Sequence, residues 1–292
     1  MKAMIAGAGG QLGQELLARA PPGVEVVPLT AQALDIGDAA AVRRAFERTA
    51  PQLVINAAAY TAVDRAESEA ELAYRVNRDG AANLAAAAAR TGARFVHVST
   101  DFVFDGRSST PYRPGDATGP LGVYGASKQA GEEAVASAAP ASLIVRTAWV
   151  YSPFGRNFLK TMLRLMAERR SVSVVADQFG APTSAATLAT TLWAMTQCEA
   201  SGIHHCTDAG SATWYDFAQA IAEEAMTLGL TPAGVEVRPI ATVDYPTPAR
   251  RPAFSVLDTS STAAIIGRTA AHWRVALREV LGRVRDLSRT AA

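Results

Sequence analysis

Three residues near the middle of the chain have side chains that could act together on a carbonyl group. Thr100 follows the apolar, β-rich run Phe95–Val98, and Tyr124 and Lys128 come after a loop. Their spacing of four residues places Tyr124 and Lys128 on one face of a helix, where an ammonium stabilises negative charge on a phenol. The two hydroxyls and the ammonium could polarise a carbonyl oxygen and protonate it as a hydride reaches the carbon.

The order of the surrounding elements favours this chemistry over a structural role. Taken alone, Tyr-x-x-x-Lys is also common on solvated helix faces. Here a predicted strand ends at Ser99-Thr100, and Tyr124 and Lys128 open the next helix. Ligands of open parallel sheets bind outside the carboxyl ends of the strands, so Thr100 would lie beside a ligand. This order resembles the short-chain dehydrogenase/reductase superfamily in its extended form.

A glycine-rich turn near the start of the chain predicts a dinucleotide site. It contains Gly7, Gly10 and Gly13, with Gln11 and Leu12 between the last two. A strand is expected at 3–6 and a helix at 14–20. Glycine lets the backbone approach a pyrophosphate closely, and the helix start offers unpaired N–H groups to the anion. Such a loop can be a simple turn, but its place between a strand and a helix favours the dinucleotide.

The residue after the second strand bears on the choice of nicotinamide cofactor. That strand is predicted at 24–29, and Thr30 follows it. A carboxylate at this point would bind a ribose 2′-hydroxyl and repel a 2′-phosphate. Thr30 does not repel the phosphate, although the sequence shows no neighbouring arginine that would clearly bind it. We expect NADPH as the cofactor, with NADH also usable.

Alternating strands and helices predict a doubly wound α/β fold. Further elements are a helix at 39–49, a strand at 53–55 and a long alanine-rich helix at 71–90. We expect a Rossmann-like dinucleotide-binding domain over residues 1–150 and a smaller α+β substrate domain over 151–292. Some later segments should return to the sheet, and residues 172–175 are the candidate sixth strand.

Longer motifs resemble the dTDP-4-dehydrorhamnose reductases over almost the whole chain. They are Asn56–Glu67, Ser99–Gly106, Tyr124–Gly125, Arg146–Tyr151, Asn157–Phe158, Asp177–Thr183, Thr213–Phe217 and Pro246–Pro252. The resemblance implies NADPH-dependent reduction of the C4 keto group of dTDP-4-dehydro-β-L-rhamnose to dTDP-L-rhamnose, the last step of dTDP-rhamnose synthesis.

The same resemblance implies a role for each site residue. Tyr124 would be the general acid, Lys128 would bind the nicotinamide ribose and tune Tyr124, and Thr100 would bond the sugar oxygen at C4. Asp35 and Ile36 would contact the adenine. Further expected cofactor contacts are Ala57, Ala58, Ala59, Thr61 and Val98, although small residues here could also serve helix–sheet packing. Further expected substrate contacts are Val63, Asp101, Phe102, Trp149, Arg250 and Arg251.

Three positions depart from the pattern of that family. Phe102 stands where a tyrosine is frequent, and Phe254 where an asparagine is common. Ala186 occupies a place where some members carry a glutamate linked to Mg²⁺-bridged dimers, although Glu15 is retained. We therefore expect no resident metal, while the resemblance leaves Mg²⁺ and a homodimer open.

Two other groups of residues could form sites. His204, His205 and Cys206 suggest a metal cluster, but neighbouring strand residues point to opposite faces, so a structural strand is expected. Arg250 and Arg251 are either a solvated loop pair or a clamp for the substrate's diphosphate, which guanidinium binds in a bidentate manner. The surrounding motif favours the clamp.

A third group, Trp214, Phe217 and Ile221, has helical spacing and is expected in the core.

Composition disfavours several classes of partner and location. Lys and Arg number 28 against 27 Asp and Glu in 292 residues, without long runs of one sign, so neither nucleic acid nor an anionic membrane is expected as a partner. The two cysteines, Cys198 and Cys206, fit a reducing compartment. No run reaches the length of a membrane span, and residues 1–17 lack a signal-peptide pattern. We expect a soluble, cytoplasmic protein.

Two alternative functions stay open at this stage. A sugar-nucleotide epimerase or dehydratase would keep its nicotinamide bound and recycle the hydride. A dehydratase would be expected to have Asp-Glu after Thr100, whereas this chain has Asp101-Phe102. A non-catalytic, nucleotide-binding regulatory subunit is disfavoured by the presence of Thr100, Tyr124 and Lys128.

Overall fold

A six-stranded parallel sheet lies at the centre of the fold. The computed structural model describes residues 1–290. Its strands are β1 (Lys2–Ala6), β2 (Glu25–Leu29), β3 (Leu53–Asn56), β4 (Arg94–Thr100), β5 (Leu143–Thr147), β6 (Val150–Tyr151), β7 (Ser171–Val175), β8 (Phe179–Gly180), β9 (Thr183–Ser184), β10 (Gly202–His205), β11 (Ala212–Thr213) and β12 (Glu236–Ile240). The central sheet has the order β10-β5-β4-β3-β1-β2, and all neighbours in it are parallel.

Helices connect the strands and cover the sheet. They are α1 (Gln11–Ala18), α2 (Ala39–Thr49), α3 (Val63–Ala66), α4 (Ala70–Tyr74), α5 (Ala81–Thr91), α6 (Val123–Ala138), α7 (Phe158–Glu168), α8 (Ala185–Gln197), α9 (Trp214–Thr227), α10 (Ser260–Ile266) and α11 (Trp273–Thr290). A π-helical segment, Arg75–Gly80, lies between α4 and α5, and short 3₁₀ turns occupy Asp101–Val103 and Thr242–Asp244. Within residues 1–290 no helix combines the length and apolar character needed to cross a bilayer.

Both faces of the central sheet are buried under helices. On one face Ile5 of β1 lies in an apolar cluster with Leu16 of α1 and Leu192 of α8. On the other face Met4 shares a cluster with Leu84 of α5. A strand that is buried on both faces needs apolar side chains at consecutive positions, which explains the short apolar runs from which these strands were predicted. The predicted doubly wound α/β fold is confirmed.

A third apolar cluster forms a separate core from residues after 150. It lies between α7, α9 and α11 and the two-stranded parallel sheet of β7 and β12. Phe217 and Ile221 of α9 are fully buried in it, which confirms their predicted core role. Trp214, the first residue of α9, is only partly buried against this core.

The sixth strand of the central sheet is not the predicted segment. Residues 171–175 form β7, which pairs with β12 and not with the central sheet, so the prediction for 172–175 is wrong. Instead β10 pairs with β5, and the predicted strand at His204 and His205 is confirmed. Strands β7 and β10 are both short runs that contain buried residues. Such a pattern predicts that a strand is buried, but it does not predict which strand will pair with it.

Two helices differ from their predicted bounds. Helix α1 begins at Gln11 rather than Gln14, because Gly10 already serves as its N-cap residue. The helix predicted at 71–90 is interrupted by the π-helical segment, a feature that often accompanies functional sites. Helix α6 packs closely against this segment, since a Cβ atom on Gly131 would lie 2.2 Å from the carbonyl oxygen of Asn77.

A buried ion pair joins α6 to the central sheet. Arg146 of β5 donates two hydrogen bonds to the carboxylate of Glu132, at 2.9 and 2.6 Å. Both side chains are buried, and the guanidinium also lies over the ring of Phe104. Bidentate geometry of this kind orients the two elements relative to each other. The ion pair and the contact at Gly131 therefore determine where α6 holds Tyr124 and Lys128.

We expect Gly131→Ala to lower the free energy of unfolding by about 1–3 kcal/mol, the usual cost of forcing extra volume into a packed site. Gly282 of α11 is the matched control, since among residues 1–290 no atom beyond its chain neighbours and the adjacent helix backbone lies within 4 Å of the position of its missing Cβ. Gly282→Ala should stabilise the protein by up to about 1 kcal/mol through helix propensity. Urea denaturation of the two variants measures the difference, and equal effects would contradict the close packing of α6.

Candidate active site

Two adjoining cavities open at the carboxyl ends of the central strands. The first, of about 610 Å³, lies between the ends of β4 and β5 and the start of α6. The second, of about 660 Å³, lies beyond the ends of β1 and β2. Gly10, Ala57 and Ala59 line both cavities, which therefore form one continuous groove. The connection that leaves β1 leads to β2 on one side, whereas the connection that leaves β3 leads to β4 on the other side. The groove therefore lies where the strand order reverses, the usual ligand site of doubly wound folds.

The glycine-rich turn has the geometry that a dinucleotide pyrophosphate needs. Gly7 has φ +82°, and a Cβ atom there would lie 2.5 Å from the backbone nitrogen of Ala58. A Cβ atom on Gly13 would lie 2.3 Å from the carbonyl oxygen of Gly7. Gly10 caps α1 without a side-chain hydrogen bond, so the first N–H groups of the helix are left for an anion.

Most of the residues predicted to contact a cofactor line the groove. They are Gly7, Gly10, Gln11, Leu12, Thr30, Asp35, Ile36, Ala57, Ala58, Ala59, Thr61, Val98, Tyr124 and Lys128. Gly13 instead lies under the turn, where it permits contact with Ala8. Gln11 is held in place by Asn157, whose amide nitrogen donates to its Oε1 at 2.8 Å. The segment around Asn157 therefore borders the groove, a contact that sequence reasoning missed.

The second cavity contains the residues predicted to select the cofactor. Thr30 directly follows β2. It packs beside the glycine-rich turn, since a Cβ atom added to Gly9 would lie 3.5 Å from the methyl carbon of Thr30. Asp35 accepts a hydrogen bond from the Gly37 backbone at 2.9 Å and forms an ion pair with Arg75. Arg75 therefore lies near this cavity, but its charge is already paired with a carboxylate.

Thr100 and Tyr124 meet in the first cavity. Thr100 is the last residue of β4, and Tyr124 is the second residue of α6. Burial raises the pKa of Tyr124 to about 12, while the nearby hydroxyl group of Thr100 opposes that rise. The ring of Phe102 packs edge-on against the Tyr124 ring, with centroids 5.5 Å apart. These contacts hold the phenol beside the strand end, as the sequence predicts.

Lys128 lies one helical turn after Tyr124 and is only 2% exposed. Its Nζ donates to the carbonyl oxygen of Val98 at 2.6 Å. Burial lowers the pKa of Lys128 to about 8, and the carboxylate of Glu132 opposes that fall. The lysine can therefore change its charge near neutral pH while it lines the same cavity as Thr100 and Tyr124.

Asp101 is predicted to touch substrate, and both of its carboxylate oxygens are engaged by hydroxyl groups of the chain. Thr100 donates to Oδ1 at 3.0 Å, and Ser255 donates to Oδ2 at 2.6 Å. To bond a substrate oxygen, the hydroxyl proton of Thr100 must turn away from Asp101. Burial raises the pKa of Asp101 to about 6, and these hydrogen bonds oppose the rise.

Two stacked tryptophans line the first cavity. Trp149, a predicted contact, has φ +48°, and its ring stacks on Trp214 with centroids 3.5 Å apart. Gly180 makes room for it, since a Cβ there would lie 2.5 Å from the indole. Trp214 lines the cavity, so its prediction as a core residue is corrected. Helical spacing correctly placed Phe217 and Ile221 in the core. It could not show that Trp214, at the start of the same helix, borders the cavity.

Two buried hydroxyls in the cavity were not predicted as site residues. Ser99 Oγ and Thr147 Oγ1 line the first cavity, and within residues 1–290 neither has a hydrogen-bond partner. Buried hydroxyl groups are normally paired, so these two are available to a bound ligand. Both lie inside motifs noted in the sequence, which was the one signal that could have identified them.

Of the remaining predicted substrate contacts, three line the first cavity and one lies in solvent. Val63 and Phe102 line the first cavity. Arg251 does so too, but its guanidinium is paired with Asp64 at 2.8 Å. Arg250 is exposed and is not part of the cavity wall. The structure therefore brings one arginine of the predicted clamp to the site and leaves the other in solvent.

The residues near Glu15 do not fit a magnesium site. The Glu15 carboxylate is fully buried and forms ion pairs with Arg19 and Arg283. Ala186 of α8 offers no ligand atom. Within residues 1–290 no cluster of three or more His, Cys, Asp or Glu side chains could hold a metal ion. Two arginines thus take the place that a cation would occupy at Glu15.

Sequence comparison matches nearly the whole chain to one family. The family model described as the RmlD substrate binding domain matches residues 1–286. A dTDP-4-dehydrorhamnose reductase of Burkholderia thailandensis is 44% identical over 288 residues, which cover 95% of this chain and 97% of the relative. The reductase of the same name from Salmonella typhimurium is 39% identical over 290 residues, which cover 96% of this chain and 97% of that protein.

Solved structures agree with the sequence comparison. A dTDP-4-dehydrorhamnose reductase from Clostridium acetobutylicum is 40% identical and superposes with a TM-score of 0.92, covering 98% of this chain and 100% of its own. The Bacillus anthracis enzyme, solved in complex with NADP, is 36% identical with a TM-score of 0.91, covering 97% of this chain and 99% of its own.

The raised pKa of Asp101 makes stability depend on pH. Native Asp101 binds its proton more tightly than the unfolded chain, with a pKa of about 6 against 3.8. The free energy of unfolding should therefore fall as pH rises from about 4 to 6, by roughly 3 kcal/mol for this group. Asp101→Asn should remove that decrease, as measured by urea denaturation at several pH values.

Asp208 provides a matched control for this prediction. It is also buried, its pKa is raised to about 6, and it lies outside the cavity wall. Asp208→Asn should flatten the pH dependence of stability by a similar amount, but only Asp101→Asn should also reduce turnover. An unchanged slope for Asp101→Asn would contradict the assigned titration.

Proposed function

We propose that this chain, which belongs to the dTDP-4-dehydrorhamnose reductase family, reduces the C4 keto group of dTDP-4-dehydro-β-L-rhamnose to give dTDP-L-rhamnose. One observation carries the proposal. Thr100, Tyr124 and Lys128 line one cavity, and that cavity continues into the groove around the glycine-rich turn. Groups for proton transfer thus lie next to a dinucleotide site, as carbonyl reduction by hydride requires.

Tyr124 is the general acid of the proposed reaction. When bound, NADPH would supply a hydride to the C4 carbon. The phenolic O–H bond of Tyr124 breaks as its proton moves to the carbonyl oxygen. Lys128 in its ammonium form stabilises the phenolate that remains. The hydroxyl of Thr100 turns from Asp101 to the same carbonyl oxygen and orients it. Loss of the Lys128 proton above pH 8 removes this stabilisation, so activity should fall as pH rises through that value.

The cofactor is held by the glycine-rich turn and by the groove beyond it. The glycine-rich turn and the start of α1 would hold the pyrophosphate, and the alanines after β3 would leave room for the nicotinamide side. Thr30 would face the adenosine ribose, and Asp35 and Ile36 would contact the adenine. NADPH is the preferred cofactor and NADH is also accepted, because Thr30 neither repels a 2′-phosphate nor binds a 2′-hydroxyl strongly.

The substrate lies across the first cavity, between the strand ends and the later part of the chain. Val63, Phe102 and Trp149 contact the deoxyhexose and its surroundings, with Trp214 behind Trp149. Arg251 approaches the diphosphate from its ion pair with Asp64. We assign residues 1–150 mainly to the cofactor and residues 151–292 mainly to the substrate, with β10 shared with the central sheet. The reaction needs no Mg²⁺, and a homodimer is compatible with it.

A single assay tests the proposal. Purified protein is mixed with NADPH and the 4-keto sugar nucleotide, nicotinamide absorbance is followed, and the product is identified as dTDP-L-rhamnose. Substrate-dependent loss of NADPH supports the proposal. An epimerase that recycles its hydride would cause no net loss, and a regulatory subunit would bind nucleotide without turnover, so either result would contradict it.

Tyr124→Phe should lower turnover by roughly 10² to 10⁴, the usual contribution of a positioned general acid. The affinity for NADPH, measured by fluorescence titration, should change little because the ring and its packing against Phe102 remain. Unchanged turnover would exclude Tyr124 as the acid, and a large loss of affinity would indicate a structural role instead.

Thr30→Asp should shift the cofactor preference towards NADH. A carboxylate next to the ribose repels a 2′-phosphate and accepts hydrogen bonds from a 2′-hydroxyl. We expect the ratio of kcat/KM with NADPH to that with NADH to fall about tenfold, equivalent to about 1.4 kcal/mol. Steady-state kinetics with both cofactors measure this ratio. If the ratio equals that of the parent, Thr30 does not face the ribose.

A further inference from the structure

His97 lies buried directly behind Lys128 and has no role in the chemistry described above. It is a residue of β4 and is fully inaccessible to solvent. Its Nε2 lies 3.5 Å from the Nζ of Lys128, and its Nδ1 lies 3.1 Å from the amide nitrogen of Asn56. Among residues 1–290 these are the polar groups within hydrogen-bonding distance of its ring. The two contacts together determine which ring nitrogen carries the proton.

The orientation of Asn56 is set by the backbone. Its Oδ1 accepts a hydrogen bond from the N–H of Ala58 at 3.1 Å, so its amide nitrogen must face His97. An amide nitrogen is a donor only, and Nδ1 of His97 must therefore accept with its lone pair. A neutral His97 then carries its proton on Nε2, the nitrogen that faces Lys128.

This arrangement places two donors against each other when Lys128 is an ammonium. An ammonium has three donors and no acceptor, and one of its protons already goes to the carbonyl oxygen of Val98 at 2.6 Å. The Nε2–H of His97 finds an acceptor only when Lys128 is a neutral amine with a lone pair. His97 cannot relieve the conflict by gaining a proton, because burial and the nearby Lys128 charge hold the pKa of His97 well below its usual range.

Other charged groups around α6 do not replace this interaction. Glu132, on the same helix as Lys128, is committed to Arg146 of β5. Asp101 lies toward Tyr124 and is bonded to Thr100 and Ser255. The remaining charged side chains on α3, α4, α5 and the π-helical segment are paired elsewhere or turned to solvent, namely Asp64, Arg65, Glu71, Arg75, Arg78, Asp79 and Arg90.

We infer that His97 is a positioning residue for Lys128. Its Nε2–H holds the amine between the imidazole ring and the Val98 carbonyl. Because this N–H is a donor, Lys128 loses its proton at a lower pH than it would if only hydrogen-bond acceptors faced it. The basic limit of activity is then set by a side chain that touches neither cofactor nor substrate. The effect on turnover rests on the proposed function, whereas the titration of Lys128 does not.

The small number of lysines allows a direct test in the ligand-free protein. The chain contains three, Lys2, Lys128 and Lys160. With ¹³C-labelled lysine, the NMR spectrum contains only three lysine side-chain signals, and the signal of Lys128 should titrate at about pH 8. In His97→Gln a carbonyl oxygen can turn to the amine and accept from it, so the Lys128 titration should move up by about one pH unit. An unmoved titration in a folded variant would overturn the inference.

His205 supplies the matched control. It is equally buried and lies on β10, and β5 lies between β10 and β4, the strand that carries His97 and Val98. His205→Gln makes the same chemical change and should leave the Lys128 titration where it is, even if the melting temperature falls. Equal upward shifts in both variants would show a general effect of loosened packing and would contradict a specific role for His97.

The wild-type protein provides a second measurement that does not depend on a variant folding. The chain has four histidines, so ¹⁵N labelling of histidine gives a tractable spectrum in which two-bond couplings report the tautomer. His97 should be neutral down to acidic pH with its proton on Nε2. A proton on Nδ1 would refute the donor geometry toward Lys128.

Turnover gives the functional counterpart. The basic limb of the pH profile of kcat/KM for NADPH-dependent reduction should move up in His97→Gln by the same amount as the Lys128 titration, and it should stay in place in His205→Gln. A moved titration with no reductase activity would leave the inference about His97 standing and reject the proposed function. An active variant with an unmoved limb would contradict the link between Lys128 and the basic limit.

Discussion

The burial of the Lys128 amine is the constraint on which the candidate active site depends. Removing a lysine cation from water costs several kcal/mol unless protein groups replace the lost solvation. The carbonyl of Val98 provides one such group at the end of β4, at 2.6 Å. Because Tyr124 precedes Lys128 by one helical turn, the contact that holds the amine also holds the phenol beside Thr100. The hydrogen bond from Lys128 to Val98 thus holds α6 against the end of β4.

That contact requires α6 to lie unusually close to its neighbours. The missing side chain at Gly131 lets α6 meet the π-helical segment, and Asn77 of that segment donates to Ser127 at 2.9 Å. On the sheet side, the Glu132–Arg146 pair joins α6 to β5. Replacing one partner of such a buried pair leaves an uncompensated charge, so the orientation of α6 is strongly specified. Packing and charge therefore act on the same helix from two sides.

Residues after 150 complete the cavity. Ser255 engages Asp101, Arg251 engages Asp64, and Trp214 stacks on Trp149. Each of these contacts joins a residue of the predicted substrate part to one from the first 150. They shape the first cavity, while the glycine-rich turn and the alanines after β3 shape the second. The two ends of the groove are thus built from different parts of the chain.

Sequence alone determined the features that depend on local geometry. Strand and helix periodicity located Thr100 at a strand end and put Tyr124 and Lys128 on one helical face, and glycine spacing identified the turn before α1. The tertiary structure decided the rest: that β10 and not β7 joins the sheet, that Trp214 faces the cavity, and that His97 lies behind Lys128. A residue pattern records how deeply a segment is buried and with what period, whereas the identity of the partner depends on how distant segments pack. Contacts such as that between Asp101 and Ser255, 154 residues apart, leave no local signal in either segment.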